Sequence, residues 1–153
     1  MSVADGLLLA CSGFLLAVLW MDLIFDTQVR GSRDDELPER VLASVADYYR
    51  RATTTSRPMS RLIAAVMVLL LGTLLFLAVR GDDPVWLFVV SGALAVAPIG
   101  LAATRTVPAA VRLGSRAGGR AEQSRLARAV YRDHVLCFAF MGAFLALRLF
   151  AVW

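Results

Sequence analysis

The chain has 153 residues, of which 59% are hydrophobic, and its 16 basic residues, all arginine, exceed the 12 acidic residues to give a formal net charge of +4. A soluble domain is about 45–50% apolar, and the excess here lies in long blocks, so the composition excludes an ordinary soluble domain and favours a single membrane domain. No nucleotide-binding loop, zinc motif or nucleophile elbow is present in the sequence.

The first apolar block covers residues 7–26 and is long enough to cross a bilayer core as a helix. It ends with Asp22 and Asp26, which lie one helical turn apart on the same face. Asp22 is still inside the apolar block, where a carboxylate at mid-membrane costs roughly 2.5–3.5 kcal/mol. We therefore expect Asp22 to face the bundle interior, with Arg61, Arg105 or His134 as its nearest charged partner, and Asp26 to be the wetter and more dispensable of the two.

The polar segment 27–58 predicts a loop followed by an amphipathic helix over about 37–52. Acidic residues around Pro38 are typical of a helix start, because proline and carboxylates both suit the first turn. Apolar residues then recur at helical spacing, namely Leu37, Val41, Leu42, Val45, Tyr48 and Tyr49. Two alternatives are open for this stripe. It lies on the membrane surface with its tyrosines at headgroup level, or it packs against the end of the bundle.

Two further spans are predicted over residues 59–79 and 85–104. The residues between them, 80–84, contain glycine and proline and make a tight turn, so these two helices form an antiparallel hairpin. Pro98 lies inside the third span and should kink it or open its hydrogen-bond ladder.

The segment 105–129 is rich in arginine and contains a short predicted helix that starts at Pro108. After Gly118 and Gly119, helical spacing resumes near Ala121 and continues without a breaker into the fourth span, 130–152. Near its outer end this span holds Arg148, whose side chain is expected to reach the headgroup layer.

The arginines also predict the orientation of the chain. Segments 27–58 and 105–129 hold six arginines each, whereas the 80–84 turn and both chain ends hold few. Because arginine-rich loops stay in the cytoplasm, the pattern predicts a plasma-membrane protein with both of these segments inside and both termini outside. The absence of lysine is typical of a GC-rich bacterial genome.

In this orientation all four spans place ionisable groups at the same cytoplasmic level. The candidate polar cluster consists of Asp22, Asp26, Arg61, Arg105, Asp133 and His134. Its functional interpretation is a site for protons or for an anionic ligand; a metal site is the weakest version, because one histidine and carboxylates are the only ligands. Its structural interpretation is simple charge pairing at the membrane surface. Cys11 lies near the outer end of its helix and Cys137 near the inner start of its own, so they should be too far apart to form a disulfide.

The sequence therefore predicts an all-α integral membrane four-helix bundle with one interfacial amphipathic helix between the first and second spans. Three function classes are compatible with it. The first is a small accessory or interaction subunit; the second is a membrane-embedded enzyme or binding protein for a lipid or hydrophobic small molecule; the third is an oligomeric transporter. The expected partners are the bilayer, with anionic lipid contacts, and a second copy of the chain or a larger membrane complex. Nucleic acid is not expected. The sequence names no cofactor.

Overall fold

The computed structural model describes residues 2–32, 35–81 and 83–152. This part of the chain is almost entirely helical and contains no strand. Four helical segments are long and apolar enough to cross a membrane: Val3–Gly31, Arg57–Arg80, Val85–Gly114 and Arg120–Ala151. The prediction of an all-α membrane bundle is confirmed, and the protein is a multi-pass membrane protein.

The described residues form six α-helices, in chain order α1 (Val3–Asp26), α2 (Glu39–Arg50), α3 (Arg57–Arg80), α4 (Val85–Leu101), α5 (Val107–Gly114) and α6 (Arg120–Val152). A 3-10 turn, Thr27–Gly31, extends α1, and two π-helical turns, Arg51–Thr55 and Ala102–Thr106, join α2 to α3 and α4 to α5. The amphipathic helix and the long fourth span begin within two residues of their predicted starts. Arg33, Asp34 and Asp82, which belong to the two predicted loops, lie outside the described residues.

Local chemistry explains where the membrane helices begin and end. Ser2 and Asp5 form a reciprocal capping box that satisfies free backbone N–H groups at the start of α1. Gly81 ends α3 in the left-handed conformation, with φ of 69°, which glycine adopts without steric cost. The chain then reverses into α4, so the hairpin predicted from the 80–84 turn is present.

The four long helices form a ring in the order α1, α3, α4, α6, and α6 also returns to α1. Leucines from α1 and α3 meet Ala95, Met141 and Phe144 in the centre of the bundle. Because lipid tails are as apolar as these side chains, close packing rather than exclusion of water holds such an interface together. The end of the bundle with segments 27–58 and 105–119 is called the arginine-rich end, and the end with the α3–α4 turn is called the hairpin end.

A second apolar core closes the arginine-rich end. The buried face of α2, with Leu42 and Val45 at its centre, packs against α5 and the first half of α6. Gly114 makes the contact between α5 and α2 possible, because a Cβ atom there would lie 2.7 Å from the backbone nitrogen of Arg50. Of the two alternatives for the amphipathic helix, the second is the one observed: its apolar stripe packs against the end of the bundle.

Polar bonds fasten the start of α2 to α6. The Leu37 backbone N–H donates to Ser124 Oγ at 2.9 Å, and Arg120 Nε donates to the Leu37 carbonyl at 2.9 Å. Arg116 also pairs with Glu39. The α2 helix is therefore fixed to the bundle rather than loosely tethered to it.

At the hairpin end, the expectation for Arg148 is wrong. Its side chain is 2% exposed, and Nη1 donates to Asp83 Oδ2 at 2.7 Å instead of reaching the headgroup layer. The sharp α3–α4 turn places Asp83 beside the last turns of α6, and this acceptor draws the guanidinium inward.

Candidate functional site

Asp26 forms the centre of a buried polar network at the arginine-rich end. Tyr49 Oη donates to Asp26 Oδ1 at 2.6 Å, and His134 Nδ1 lies 2.6 Å from Asp26 Oδ2. An ionised carboxylate can only accept hydrogen bonds, so Nδ1 of His134 carries the proton of this bond. The last residue of α1 is thereby joined to both α2 and α6.

Asp22 lies one turn earlier on α1 and occupies the wetter edge of the same network. Tyr48 Oη donates to Asp22 Oδ1 at 2.6 Å, and His134 Nε2 lies 3.9 Å from Asp22 Oδ2. The imidazole of His134 therefore lies between two carboxylates. The prediction that Asp22 faces the bundle interior is confirmed, and of its three predicted partners, Arg61, Arg105 and His134, the one beside it is His134.

The prediction that Asp26 is the wetter of the two carboxylates is wrong. The Asp26 side chain is 1% exposed, against 17% for the side chain of Asp22. The reason is that α2 folds over the end of α1 and brings Tyr49 onto Asp26. A residue one turn nearer the polar loop thus ends up deeper in the protein.

The two adjacent tyrosines of α2 are the members of the network that sequence reasoning missed. One of its two alternatives placed them at headgroup level and neither gave them a polar partner, whereas the Tyr49 side chain is buried and Tyr48 is stacked on Phe25 with ring centroids 4.1 Å apart. Burial, together with the negative charge of the nearby carboxylates, raises the pKa of both phenols well above its usual range. Both hydroxyls therefore stay protonated and donate. The signal available in the sequence was the presence of two carboxylates in need of hydrogen-bond donors on α1 and of two adjacent phenols on α2.

The remaining predicted cluster residues do not join this network. Arg105 lies 3.9 Å from Asp133, whose other carboxylate oxygen accepts from Thr106 Oγ1 at 3.3 Å. Arg61 is exposed at the start of α3 and makes no ion pair with any residue that the structure describes. The six predicted residues thus divide into three groups. Asp22, Asp26 and His134 belong to the network, Arg105 and Asp133 form a separate pair, and Arg61 contacts neither group through an ion pair among the described residues.

The network is not arranged as a metal centre. Within residues 2–32, 35–81 and 83–152, no group of three histidine, cysteine or acidic side chains could hold a metal ion. Cys11 and Cys137 are both buried and unoxidised, and Cys137 Sγ donates to the Pro98 carbonyl at 3.6 Å. The chemistry that the network can perform is the exchange of a proton between the carboxylates and the imidazole, with the phenols as fixed donors.

An open cavity of about 760 Å³ lies beside the network, between the 3-10 turn after α1, helix α5 and the first half of α6. Its polar wall is strongly basic, and among the described residues that line it Glu122, which pairs with Arg112, is the single acid. Its apolar wall is formed by Val29, Leu126, Ala129 and Tyr131. The arginines of this cavity are Arg30, Arg112, Arg125, Arg128 and Arg132.

Comparison with known proteins adds nothing to this geometry. No family model, curated protein or solved structure matches the chain. The function therefore has to be argued from the cavity and the network themselves.

Proposed function

We propose that this membrane protein binds an anionic, phosphate-bearing lipid through its headgroup, in the arginine-lined cavity. The observation that carries the proposal is the composition of that cavity, whose described lining residues include five arginines and one glutamate around a space of about 760 Å³. Pockets of roughly 300–1,000 Å³ are typical of sites for small ligands and headgroups.

The charge of the cavity supports an anionic ligand. Arg30, Arg125 and Arg132 make no ion pair with any residue that the structure describes, so their charges are available to a ligand. Guanidinium groups bind phosphate oxygens through paired hydrogen bonds, which makes arginine the preferred residue for such headgroups. Gathering these like charges on one wall is unfavourable without an anion between them.

The mixed lining supports a lipid rather than a water-soluble phosphate compound. Tyr131 and Leu126 provide an apolar wall next to the arginines, and both lie on α6 before its most apolar part begins. A lipid could place its phosphate against the arginines and its glycerol and first methylenes against this wall. A free phosphate ion would use only the basic half of the cavity.

The buried network supports this function by holding the cavity walls in place. Asp26 is linked to α2 through Tyr49 and to α6 through His134, and the 3-10 turn that carries Val29 and Arg30 follows directly. The network thus fixes the angle between α1 and α6 on which the cavity depends. In this proposal it positions the site and performs no reaction.

The cellular placement remains part of the proposal. The arginine-rich end faces the cytoplasm, where the anionic leaflet supplies the ligand, and both termini face outward, as the positive-inside rule predicts. A bacterial plasma membrane is the membrane in which we expect it. Labelling of single cysteines in intact cells tests the orientation, because a Ser115→Cys variant should resist an impermeant reagent that reaches a Val85→Cys variant. The opposite pattern would invert the topology.

The lipid proposal is tested with purified protein and spin-labelled lipids in bilayers of zwitterionic lipid. Spin-labelled phosphatidylglycerol should be retained by the protein more strongly than spin-labelled phosphatidylcholine. The double variant Arg125→Gln/Arg132→Gln should lower this selectivity about 30-fold, since each arginine near the membrane surface contributes about 1 kcal/mol. Raising the salt concentration should weaken the selectivity as well.

A matched control separates the cavity from general surface charge. Arg57 and Arg61 are exposed at the same end but do not line the cavity, so Arg57→Gln/Arg61→Gln removes the same charge elsewhere. Equal losses in the two double variants would show a diffuse surface effect and defeat the proposal. Displacement of the lipid by millimolar inorganic phosphate would instead identify a site for a soluble phosphate.

The other predicted functions receive no comparable support. Leu75, Phe76 and Val79 of α3 are exposed, but such a surface suits contact with lipid as well as with another subunit. The accessory-subunit, homo-oligomer and transporter interpretations therefore stay predictions, and co-purification from native membrane tests the first of them.

A further inference from the structure

Glu122 is the acidic residue among the described residues that line the arginine-lined cavity. One of its carboxylate oxygens, Oε1, pairs with Arg112 Nη2 of α5. The other oxygen, Oε2, receives no hydrogen bond from the described residues. The side chain is 33% exposed, and the buried polar atoms that lack a partner do not include this oxygen. Oε2 is therefore an acceptor that a ligand in the cavity can reach.

The pairing with Arg112 decides which donor suits this acceptor. Arg125 lies three residues after Glu122, on the same face of α6, yet Glu122 pairs with Arg112 instead. Arg112 neutralises the carboxylate, so Oε2 offers a hydrogen-bond acceptor without an unmatched negative charge. An ammonium group at this place would lie beside two guanidinium groups and be repelled. A hydroxyl group is neutral and donates one hydrogen bond, so it is the donor that fits.

The order of residues along α6 shows which part of a lipid lies beside Glu122. Helix α6 runs from the arginine-rich end into the membrane, and the apolar lining residues that it provides, Leu126, Ala129 and Tyr131, all follow Arg125. Glu122 lies about 4.5 Å before Arg125 along the helix axis, on the side away from the membrane core. A lipid with its phosphate against Arg125 and its glycerol backbone along the apolar wall therefore extends its headgroup alcohol toward Glu122.

From this arrangement we infer that the bound lipid carries a hydroxylated headgroup, such as glycerol, and that Glu122 is the residue that selects it. The lipid phosphate lies against Arg125, and a hydroxyl group of the headgroup donates to Glu122 Oε2. This inference rests on the proposed function, because it names the headgroup of the lipid that the arginine-lined cavity binds.

The test compares two lipids of equal charge in wild-type protein. Phosphatidylethanol has the single negative charge of phosphatidylglycerol but an ethyl group in place of the headgroup glycerol. In bilayers of phosphatidylcholine, spin-labelled phosphatidylglycerol should be retained about fivefold more strongly than spin-labelled phosphatidylethanol, the factor expected for one hydrogen bond at a partly exposed site. Spin-labelled phosphatidylethanolamine, whose headgroup ends in an ammonium, should be retained less than phosphatidylglycerol.

Variants then assign the preference to Glu122. Glu122→Ala should abolish the difference between phosphatidylglycerol and phosphatidylethanol, while both stay at least as strongly retained as in wild type, because the change frees Arg112. A merely structural role of Glu122 would instead lower the retention of both lipids. The matched control is Glu39→Ala, which breaks an ion pair with Arg116 outside the cavity and should keep the preference.

The possible failures of this inference and of the lipid proposal are distinguishable. Equal retention of phosphatidylglycerol and phosphatidylethanol by wild type, with both above phosphatidylcholine, would overturn the inference and leave the lipid proposal standing. Equal retention of phosphatidylglycerol and phosphatidylcholine would defeat both. Retention of phosphatidylethanolamine as strong as that of phosphatidylglycerol would show that Oε2 receives an ammonium and would overturn the inference as well. If Glu122→Ala fails to fold, the comparison in wild-type protein still decides.

Discussion

Replacing Tyr49 by phenylalanine removes a single hydroxyl from the centre of the buried network. Asp26 then loses the 2.6 Å bond from the phenol but keeps His134 Nδ1 at 2.6 Å. A hydrogen bond to a charged group contributes about 1.5–3 kcal/mol, and water cannot easily take the place of the hydroxyl because the Asp26 side chain is 1% exposed. We expect Tyr49→Phe to lower the free energy of unfolding by about 2 kcal/mol.

The matched control is Tyr48→Phe. It removes an equally short bond, to Asp22, but the Asp22 side chain is 17% exposed, so water can replace the hydroxyl. The phenylalanine ring keeps the stacking on Phe25. Unfolding of both variants by sodium dodecyl sulfate in mixed micelles should show a loss below about 1 kcal/mol for Tyr48→Phe. A loss for Tyr48→Phe equal to or larger than that for Tyr49→Phe would refute the assignment of Asp26 as the buried centre.

Three further predictions concern the same end of the protein. Gly114→Ala should destabilise the fold by about 1–3 kcal/mol, because the added methyl group overlaps the Arg50 backbone. Gly119→Ala is the control and should leave stability unchanged, because the space around Gly119 is open. Equal melting temperatures of the two variants would argue against this packing. Arg105→Gln should change the free energy of unfolding by less than about 1 kcal/mol, because its ion pair is long and its guanidinium is exposed, although Asp133 is buried; a larger loss by the same assay would show that Asp133 depends on it. Hydrogen bonds from Arg50 and Arg51 lower the pKa of Asp47 below its ordinary value of 3.8. Wild type should therefore be more stable than Asp47→Asn at neutral pH, and this difference should disappear as the pH falls through the lowered pKa. A difference in stability that persists at still lower pH would contradict this prediction.

Much of the fold was predictable because the relevant signals are local. The apolar blocks give four spans, Gly81 lies at the predicted reversal, and the uninterrupted pattern after Gly119 gives a long last helix. The start of α2 also follows from the acidic residues around Pro38. These features depend on the length and spacing of nearby residues, which the sequence states directly.

The candidate site was only partly predictable because its partners come from distant parts of the chain. Depth along each helix correctly placed Asp22, Asp26 and His134 at one level. Depth does not specify which way α2 folds, so it could not show that Tyr49 covers Asp26. The same limitation separated Arg61 from the network, since two groups at one depth can still face different directions.

The expectation for Arg148 failed for a related reason. A long cationic side chain near a helix end usually reaches water or headgroups, and the sequence near Arg148 gives no other acceptor. Asp83 is 65 residues away along the chain and becomes its neighbour only after α3 and α4 have packed as a hairpin. Long-range acceptors of this kind decide where a charge finally lies.

The length of α6 has a mechanical consequence. Its 33 residues make a rod of roughly 50 Å, longer than the roughly 30 Å core of a bilayer, and His134 and Arg148 lie roughly 21 Å apart along it. A small tilt of such a rod about its middle swings both ends at once, in opposite directions. A change at the bond between Arg148 and Asp83 therefore also shifts the wall that carries Arg125 and Arg132. Lipid retention measured for wild type and for Asp83→Asn would reveal this leverage, and unchanged retention in the variant would show that α6 does not pivot.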